Sequence, residues 1–379
     1  MSNSSLRLLL LGCCLLSGAV RTATAASARK PAPTAAKTAA TTNINPETFR
    51  SAIVIDAATG RVLFEASADV QNPPASVTKL MTFAVVQDKL QRGELTLQTP
   101  VTIAPEAAKM GGSEAWLVHN EKVSVEELLY LLMVQSANDA AVALAIHTTG
   151  SKEAFVELMN AKARELGMTH TEFHSPHGLP PGKGQEADIS TARDIALLCR
   201  QLIAKTDILR YTSTRTHEFH HANGVVNNFI NHNHLLGVVP GCDGLKTGWY
   251  LKAGYSLATT VQRNGRRIIA VVLGSPERKG RDTLTTQLVE RGFAALPPVV
   301  PAVAATTPAG GPASPPPVQA GTPAPVSSGP VPPVAPVPPA DTASNLKLVP
   351  LSPEERKQQV GAVTEPDVTV HLEIPAAKK

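Results

Sequence analysis

Half of the prolines of this 379-residue chain lie in one short segment near its C-terminus. Sixteen of the 32 prolines fall between Pro297 and Pro339, where they are mixed with Ala, Val and Gly. Such a segment buries too little apolar surface to fold, so residues 297–340 are predicted to form an extended linker. Residues 341–379 regain Leu and Val without a hydrophobic period, and we predict a disordered tail. The folded domain is therefore expected over residues 48–296.

The first 25 residues have the pattern of a secretory signal peptide. A positive charge at Arg7 precedes an apolar run of leucines, and Ala23-Thr24-Ala25 has the form of a cleavage site. The run is too short for a transmembrane helix. We therefore expect an exported, periplasmic or extracytoplasmic protein with a disordered leader over residues 26–47. A lipid anchor on Cys13 is the alternative, because the residues before it resemble an acylation site.

Charge and cysteine content argue against a nucleic-acid-binding protein and against a disulfide-rich scaffold. The net charge of +4 comes without the dense Lys or Arg runs that bind a phosphate backbone, so no nucleic-acid partner is expected. Removal of the signal peptide leaves Cys199 and Cys242, which are too few for a disulfide framework. Cys199 lies in an apolar, helix-like stretch, which favours a buried thiol. The sequence leaves open whether the two cysteines pair.

Apolar runs predict strands at both ends of the folded region and helices between them. Two hairpins are predicted, an edge hairpin of residues 51–55 with 61–65, and a second of 255–261 with 266–273 around Asn264-Gly265. Helical spacing of apolar residues predicts helices over about 77–92, 125–133, 140–146, 153–166, 195–202 and 282–293. This order favours an α/β fold of the α+β type, in which distant segments form one antiparallel sheet flanked by helices.

Three short motifs occur in this region in a defined order. Ser76-Val-Thr-Lys79 places a hydroxyl and an amine one helical turn apart, so that a neutral lysine could take the hydroxyl proton. Ser136-Ala-Asn138 and Lys246-Thr-Gly248 follow, each at an offset of two that directs alternate side chains the same way. The other two Ser-x-x-Lys matches lie in the leader and the tail, where no site could be built.

The ordered triple resembles the signature of serine penicillin-interactive enzymes, with Ala137 where class A β-lactamases have Asp. Six successive blocks over residues 48–296 further resemble the low-molecular-mass D-alanyl-D-alanine carboxypeptidases. These blocks are residues 74–82, 134–141, 176–179, 190–194, 231–236 and 243–248. The resemblance implies a β-lactamase/transpeptidase-like fold. Departures are Ser175, Trp249 and the Pro-rich tail, which replaces the β-rich domain and membrane-associating helix of many members, so no stable membrane anchor is expected.

The resemblance implies roles for the first two motifs. Ser76 is expected to be the acylated nucleophile, with Lys79 as its proton acceptor. Lys79 must be neutral for this role, and burial beside another cation such as Lys246 would lower its pKa. Ser136 is expected to relay the proton to the departing D-alanine, and Asn138 to hold the substrate amide.

The resemblance also implies how the substrate is bound. Lys246, Thr247 and Gly248 are expected at the carboxylate end, where Gly248 would allow close approach of the substrate backbone. Arg281 matches the family arginine that engages the terminal carboxylate, an anion suited to a guanidinium fork. The backbone N–H groups of the nucleophilic serine and of Trp249 are expected to form the oxyanion hole.

The function implied is a serine D,D-carboxypeptidase that removes the terminal D-alanine of peptidoglycan stem pentapeptides and is acylated by β-lactams. No metal or organic cofactor is implied. A D,D-endopeptidase that cuts cross-links is the nearest alternative, because family members without the second domain include such enzymes. A β-lactamase using Glu172 is disfavoured, since the following residues lack the Leu-Asn that helps hold a deacylating water. An inactive wall-binding protein that retains the fold would be favoured only if Ser76, Lys79 or Lys246 were missing, and all three are present.

A competing motif is His217-Glu-Phe-His-His221, which fits the H-E-x-x-H pattern of zinc peptidases. Alternating threonines before it and Gly224 after it favour a solvent-facing polar strand and turn, whereas zinc binding by this motif needs a helix. Asn227 stands where a third ligand is required, and all six methionines precede the motif, so no Met-turn follows it. We therefore do not expect a zinc site here.

Overall fold

The computed structural model of the chain describes residues 48–297. The predicted signal peptide and leader, the linker beyond residue 297 and the tail lie outside the described residues. The strands are β1 Ser51–Asp56, β2 Val62–Ala66, β3 Pro100–Thr102, β4 Lys122–Ser124, β5 Thr216–His220, β6 Val226–Ile230, β7 Cys242–Tyr250, β8 Gly254–Arg263 and β9 Arg266–Ser275. The helices are α1 Lys79–Gln91, α2 Val125–Tyr130, α3 Asn138–Thr149, α4 Lys152–Glu165, α5 Ala192–Lys205, α6 Ile208–Thr212 and α7 Arg278–Ala295.

Five strands form an antiparallel sheet in the order β2-β1-β9-β8-β7. The first and last strands of the domain are neighbours, because Val54 of β1 lies opposite Ala270 of β9. The predicted α+β fold is confirmed, with β1 and β2 as the expected edge hairpin and β8 and β9 as the expected hairpin around Asn264-Gly265. The other edge is β7, which carries the Lys-Thr-Gly motif.

Alternating side chains of the sheet bury two separate cores. Ala52 and Val54 of β1 pack with Leu288 and Val289 of α7 on one face. Ile53, next to them in sequence, faces the larger core built with the other helices. Period-two alternation in a strand buried on both sides produces these two apolar layers.

The helical layer contains two helices that are buried along most of their length. The residues of α1 from Lys79 to Gln87 are buried, and so are those of α3 from Asn138 to Ala145. Helices α2, α4 and α5 begin with side-chain caps; for example, the Thr191 hydroxyl accepts a hydrogen bond from the Asp194 backbone N–H at 3.1 Å. The buried start of α1 and the buried start of α3 bring two of the motifs into the interior.

Several elements differ from their predicted bounds. The predicted helix over 77–92 begins with a 3₁₀ turn, Ala75–Thr78, and the one over 125–133 ends at Tyr130 and continues as the π-helical segment Leu131–Gln135. The small hairpins β3–β4 and β5–β6 complete the domain. Both Cys199, which is buried as expected, and the half-buried Cys242 are free thiols, so they do not pair. Within residues 48–297, no helix combines the length and apolar character needed to cross a bilayer.

Candidate active site

The Ser76 hydroxyl lies beside the Lys79 amine at the start of α1. The 3₁₀ turn that carries Ser76 and the first turn of α1 set the Ser76 Oγ to Lys79 Nζ distance at 3.0 Å. Strand β7 packs directly against this turn. A Cβ atom at Gly248 would lie 2.6 Å from the Pro74 carbonyl oxygen and 3.0 Å from the Ser76 nitrogen. Gly248 therefore permits close approach of the chain's own backbone, whereas the sequence suggested approach of a substrate.

The Lys79 amine has two further oxygen neighbours, and both are acceptors only. Asn138 Oδ1 lies 2.7 Å from Lys79 Nζ, and the His177 carbonyl oxygen lies 2.8 Å away. The Asn138 amide is held in this orientation because its Nδ2 donates to the Gly111 carbonyl at 2.8 Å. Asn138 thus contacts the lysine as well as the cleft, a contact that the sequence did not predict.

The pKa of Lys79 is held well below its usual value, because complete burial penalises the charged amine and the Lys246 ammonium repels it. The carboxylates of Asp139 and Asp188 act in the opposite direction but are the weaker influences. Both Lys79 and Lys246 are buried, as the sequence anticipated. The arrangement favours an uncharged amine beside the serine hydroxyl.

Ser136 enters the site from a sharp break between two helical segments. The π-helical segment ends at Ser136, whose backbone is left-handed with φ of 62°, and α3 begins two residues later. Asp139 fixes the neighbouring loop, since its carboxylate accepts hydrogen bonds from the backbone N–H groups of Ala115 and Leu117 at 3.0 to 3.1 Å. A left-handed non-glycine residue persists only where surrounding contacts hold it, as they do here.

These elements enclose a cleft with a volume of about 210 Å³. It is lined by Ser76, Gly112, Ser113, Glu114, Trp116, Gln135, Ser136, Asn138, Gly178, Leu179, His232, Thr247, Gly248 and Trp249. The structure thus brings the three motifs together in one cleft. The residues that sequence reasoning missed are mainly those of the loop 112–116, which lies 20 or more positions before Ser136 and carries none of the three motifs.

Two predicted residues lie behind the cleft and do not line it. Lys246 is buried, and its Nζ donates to the Thr247 carbonyl at 3.1 Å. Arg281, at the start of α7, is also fully buried. Its guanidinium donates to the Ser256 carbonyl at 3.2 Å and to the Asp282 carboxylate at 2.8 and 3.0 Å. Ser256 is the cross-strand partner of Gly248, so the guanidinium lies one strand away from the motif.

His232 is a cleft residue whose block was noted in the sequence but given no role. Its pKa is lowered to about 3, because burial and the positive charges of Lys246 and Lys79 disfavour the imidazolium. His177 has a pKa lowered to about 3 for the same reasons, burial first and the Lys79 charge second. Both imidazoles are therefore neutral at physiological pH.

The loop 174–188 supports the start of α1 from a distant part of the chain. Asp188 accepts hydrogen bonds from the Thr78 hydroxyl at 3.0 Å and from the Ser175 hydroxyl at 2.9 Å. A Cβ atom at Gly178 would lie 2.0 Å from the Ala75 carbonyl oxygen, so the loop touches the 3₁₀ turn itself. The Pro-His-Gly-Leu block gave a sequence signal for this loop, but not for its contact with Lys79.

The H-E-x-x-H segment is confirmed as a strand, β5, and does not assemble zinc ligands. His217 pairs with Glu127, whereas His221 lies 3.1 Å from Glu121. The expectation of a solvent-facing strand is only half right, because Glu218 is exposed but His221 is buried. Alternation of the strand beside a helical neighbour explains the difference.

The described residues contain one group of side chains that could hold a metal ion. The ligand atoms of Glu172, His174 and Glu186 lie within 4.8 Å of one another at the surface. His174 and Glu186 line a separate groove of about 830 Å³ that holds none of the three motifs. Glu172, the residue that a β-lactamase would need for deacylation, lies in this exposed group and does not line the cleft around Ser76.

Comparison with known proteins identifies the family. Residues 36–277 match the family model of the D-alanyl-D-alanine carboxypeptidases. The chain belongs to this family. Among its relatives, the carboxypeptidase DacF of Bacillus subtilis is 34% identical over 244 residues, covering 64% of this chain and 62% of DacF. The D-alanyl-D-alanine endopeptidase of Pseudomonas aeruginosa is 37% identical over 230 residues, covering 58% of this chain and 70% of the relative.

Solved structures agree with the sequence comparison. The ampicillin-bound penicillin-binding protein D2 of Listeria monocytogenes matches with a TM-score of 0.59 and 31% identity. That match covers 66% of this chain and 99% of the Listeria chain. The chain spans somewhat less than two thirds of the length of DacF, whereas it accounts for nearly the whole of the Listeria protein. The shared part is the domain that holds the cleft.

Proposed function

We propose that this protein is a serine D-Ala-D-Ala carboxypeptidase that removes the terminal D-alanine of peptidoglycan stem pentapeptides through an acyl-enzyme on Ser76. The observation that carries the proposal is the set of three oxygens around Lys79 Nζ. A neutral amine has two N–H groups and one lone pair. The two acceptors, Asn138 Oδ1 and the His177 carbonyl, take the two N–H groups, which leaves the lone pair directed at the Ser76 hydroxyl.

Acylation then proceeds by proton transfers between neighbouring groups of the site. Ser76 Oγ attacks the carbonyl of the penultimate D-alanine while its proton passes to Lys79. A new C–O ester bond forms, and the C–N bond to the terminal D-alanine breaks as Ser136 relays the proton to the departing nitrogen. Water then cleaves the ester and restores Ser76. The backbone N–H groups of Ser76 and Trp249 stabilise the oxyanion in both steps.

Substrate binding uses both walls of the cleft, with Asn138 beside Ser136 on one and Thr247 of β7 on the other. Asn138 holds the substrate amide, and Thr247 faces the terminal carboxylate, with Gly248 fixing the strand against the serine. Lys246 and Arg281 supply positive charge from behind the β7 wall. Charge-assisted interactions with a carboxylate favour a peptide with a free C-terminus, which supports a carboxypeptidase.

β-Lactams are proposed to acylate Ser76, since they present an amide to the same nucleophile. The fold shared with the ampicillin-bound Listeria protein supports this. We further propose that the chain acts outside the cytoplasm, with residues 1–25 as an export signal, 26–47 as a leader, 48–296 as the catalytic domain, and 297–340 and 341–379 as linker and tail. Support comes from the leucine run with its cleavage pattern and from the proline distribution.

A D,D-endopeptidase is the second candidate, because the Pseudomonas relative with that name is 37% identical and is covered over 70% of its length. The two activities share the acyl-enzyme and differ in the leaving group, which is free D-alanine in one and a cross-linked stem in the other.

One experiment separates the candidates. Purified protein is incubated with a pentapeptide muropeptide and with a cross-linked dimer, and the products are weighed by mass spectrometry. Loss of one alanine from the monomer supports the carboxypeptidase, and conversion of dimer to monomers supports the endopeptidase. Ser76→Ala should abolish both products and labelling by a fluorescent penicillin. Ser344→Ala, which removes another Ser-x-x-Lys serine, is the matched control, and continued labelling of Ser76→Ala would contradict the proposal.

A further inference from the structure

Glu114 is an acidic side chain in the cleft that the reaction described above does not use. It is half-buried and lines the cleft together with Ser76 and Ser136. Its backbone is fixed, since the Glu114 carbonyl accepts a hydrogen bond from Gln135 Nε2 at 3.0 Å. Within residues 48–297, its carboxylate has no hydrogen bond and no ion pair. A partly buried carboxylate without a partner is costly, unless a ligand supplies the missing counter-charge.

The surroundings of Glu114 are acidic. Burial and the nearby Asp139 carboxylate raise the pKa of Glu114 to about 7. Asp139 is satisfied by backbone N–H groups, including those of Ala115 and Leu117. The buried cations of the site are engaged elsewhere, Lys246 with the Thr247 carbonyl among other contacts. This part of the cleft therefore favours a cationic group.

Two tryptophans border the same cleft. The Trp116 side chain is 58% exposed, and its ring stacks on Phe229 with centroids 5.7 Å apart. Trp249 stacks on Tyr255 with centroids 5.5 Å apart. Stacking on a second ring leaves one indole face of each tryptophan for a ligand. An indole face with a nearby carboxylate is a combination that recognises an alkyl ammonium group, through cation–π and charge-assisted contacts.

The two charged regions of the cleft indicate the direction of the ligand. In the proposed reaction, the terminal carboxylate lies at the Thr247 wall, with Lys246 and Arg281 behind it. Glu114 and Trp116 lie on the loop beside Ser136, on the other wall. A peptide bound with its carboxylate at Thr247 has only its acyl side free to reach Glu114. The complementary positive charge must therefore precede the scissile bond.

We propose that Glu114, with Trp116, forms a specificity site for a primary ammonium on the side chain of the residue that precedes the D-alanyl-D-alanine pair. This inference rests on the proposed function and names its substrate class, a stem peptide with a free side-chain amine. Glu114 binds the ammonium and the indole of Trp116 covers the alkyl chain. Peptides in which that amine is acylated lose the charge and are the poorer substrates.

Two peptides that differ by one acetyl group test this inference. Nα-acetyl-Lys-D-Ala-D-Ala retains the side-chain ammonium, and Nα,Nε-diacetyl-Lys-D-Ala-D-Ala lacks it. Measurements at about pH 8.5 keep the ammonium charged and a carboxyl with a pKa of about 7 ionised. We expect kcat/KM of the wild-type protein to be about ten-fold higher for the charged peptide, the size of one charge-assisted contact.

Three variants identify the side chain that distinguishes the charged peptide from the diacetylated one. Glu114→Gln keeps the shape and should bring the ratio of the two kcat/KM values close to one. Glu114→Lys should invert it, because the charged peptide is then repelled. Trp116→Ala should reduce it without inverting it. Glu186→Gln, an exposed acid in the separate groove, is the matched control and should keep the wild-type ratio.

The possible results separate this inference from the proposed function. Equal kcat/KM for both peptides in the wild-type protein would overturn the specificity site and leave the carboxypeptidase standing. An equal loss on both peptides in Glu114→Gln, with their ratio unchanged, would also overturn the specificity site, because Glu114 would then not distinguish the two peptides. Hydrolysis of neither peptide by protein that still binds labelled penicillin would overturn the carboxypeptidase proposal and the specificity site with it.

Discussion

At the scale of single residues, Lys79 connects the chemistry of the site to pH. The charged form of Lys79 cannot accept the Ser76 proton, and its pKa is held below the usual value, so the reactive neutral form appears at a lower pH than in free lysine. We expect the rate of acylation by a labelled penicillin to fall on the acid side, with an apparent pKa below about 10.4, the value of free lysine. Stopped-flow rates from about pH 5 to pH 10 measure this, and a flat profile would contradict it.

Neighbouring residues supply the controls for this profile. His177 and His232, with pKa values of about 3, stay neutral over the range and cannot produce the acid limb. Glu114, with a pKa of about 7, could contribute, so Glu114→Gln should retain the limb if Lys79 is its source. Lys246→Met removes a positive charge that disfavours protonated Lys79. The limb should then move to higher pH, and an unmoved limb would show that it belongs to another group.

Arg281 is the residue whose proposed role is most sharply tested by a change of substrate. Arg281→Ala should reduce kcat/KM for peptides with a free C-terminal carboxylate by about ten-fold, less than the loss of a direct contact would, because the buried guanidinium acts on the carboxylate from behind strand β7. A substrate with an amidated C-terminus lacks the partner and should lose far less. Because Arg281 also holds Ser256 and Asp282, thermal unfolding is measured alongside. Equal losses on both substrates would make it a structural residue.

A site residue could be predicted from the sequence only where it lies close in the chain to the residue it contacts. Ser76 and Lys79 are three positions apart, so a helical turn alone brings them together. Glu114 and the His177 carbonyl reach the site only through the tertiary fold, His177 from 98 positions beyond Lys79. No spacing rule connects such positions. The sequence thus indicated the groups that we propose to react, and the structure was needed for the groups that orient them.

At the scale of elements, two segments contact the start of α1 directly through their backbones, strand β7 at Gly248 and the loop 174–188. The loop 174–188 makes this contact at Gly178, whose φ is 79°. Gly178→Ala should both strain the backbone and place a methyl group on the Ala75 carbonyl, and we expect it to abolish penicillin acylation and lower the melting temperature. Gly184, with φ of 77° and open space around it, is the matched control.

Gly184→Ala should cost only the left-handed conformation, about 1 to 2 kcal/mol, and leave acylation intact. Similar acylation rates in both variants would show that the loop does not position Ser76.

The bounds of α1 show why the sequence did not predict this contact. Helical spacing of apolar residues continues from Val77, whereas the structure has a 3₁₀ turn over Ala75–Thr78, where β7 and this loop make their contacts.

The α+β architecture itself was predictable, because hairpins at both ends and helices between them leave few ways to pair the strands. The order of the strands was not predictable from local patterns. Pairing of β1 with β9 joins residues more than 200 positions apart, and α6 and the β5–β6 hairpin precede the edge strand β7 in the chain. Those short elements have weak periodicity and depend on tertiary contacts.

At the scale of the whole molecule, both ends of the described chain pack into the core beneath α7. Phe49 and Leu296 are buried in the same apolar cluster as Leu288 and Val289. The ring of Phe293 packs there as well. The Arg263 guanidinium carbon lies over this ring, 4.8 Å from the ring centroid. The domain therefore ends beyond the predicted limit of the last helix, and its final apolar residues contribute to stability.

This packing determines where the chain can be shortened. A stop after Pro297 keeps Leu296 and the hydrogen bond from Arg266 to the Pro297 carbonyl, so acylation and thermal stability should match those of the full chain. A stop after Phe293 removes Leu296, which is 9% exposed, and should lower the free energy of unfolding by about 2 kcal/mol. Urea unfolding and penicillin acylation of the three chains measure both effects. Loss of acylation in the chain ending at Pro297 would show that residues 298–379 take part in the chemistry. Equal free energies of unfolding for the two shortened chains would show that Leu296 does not contribute to the stability of the core.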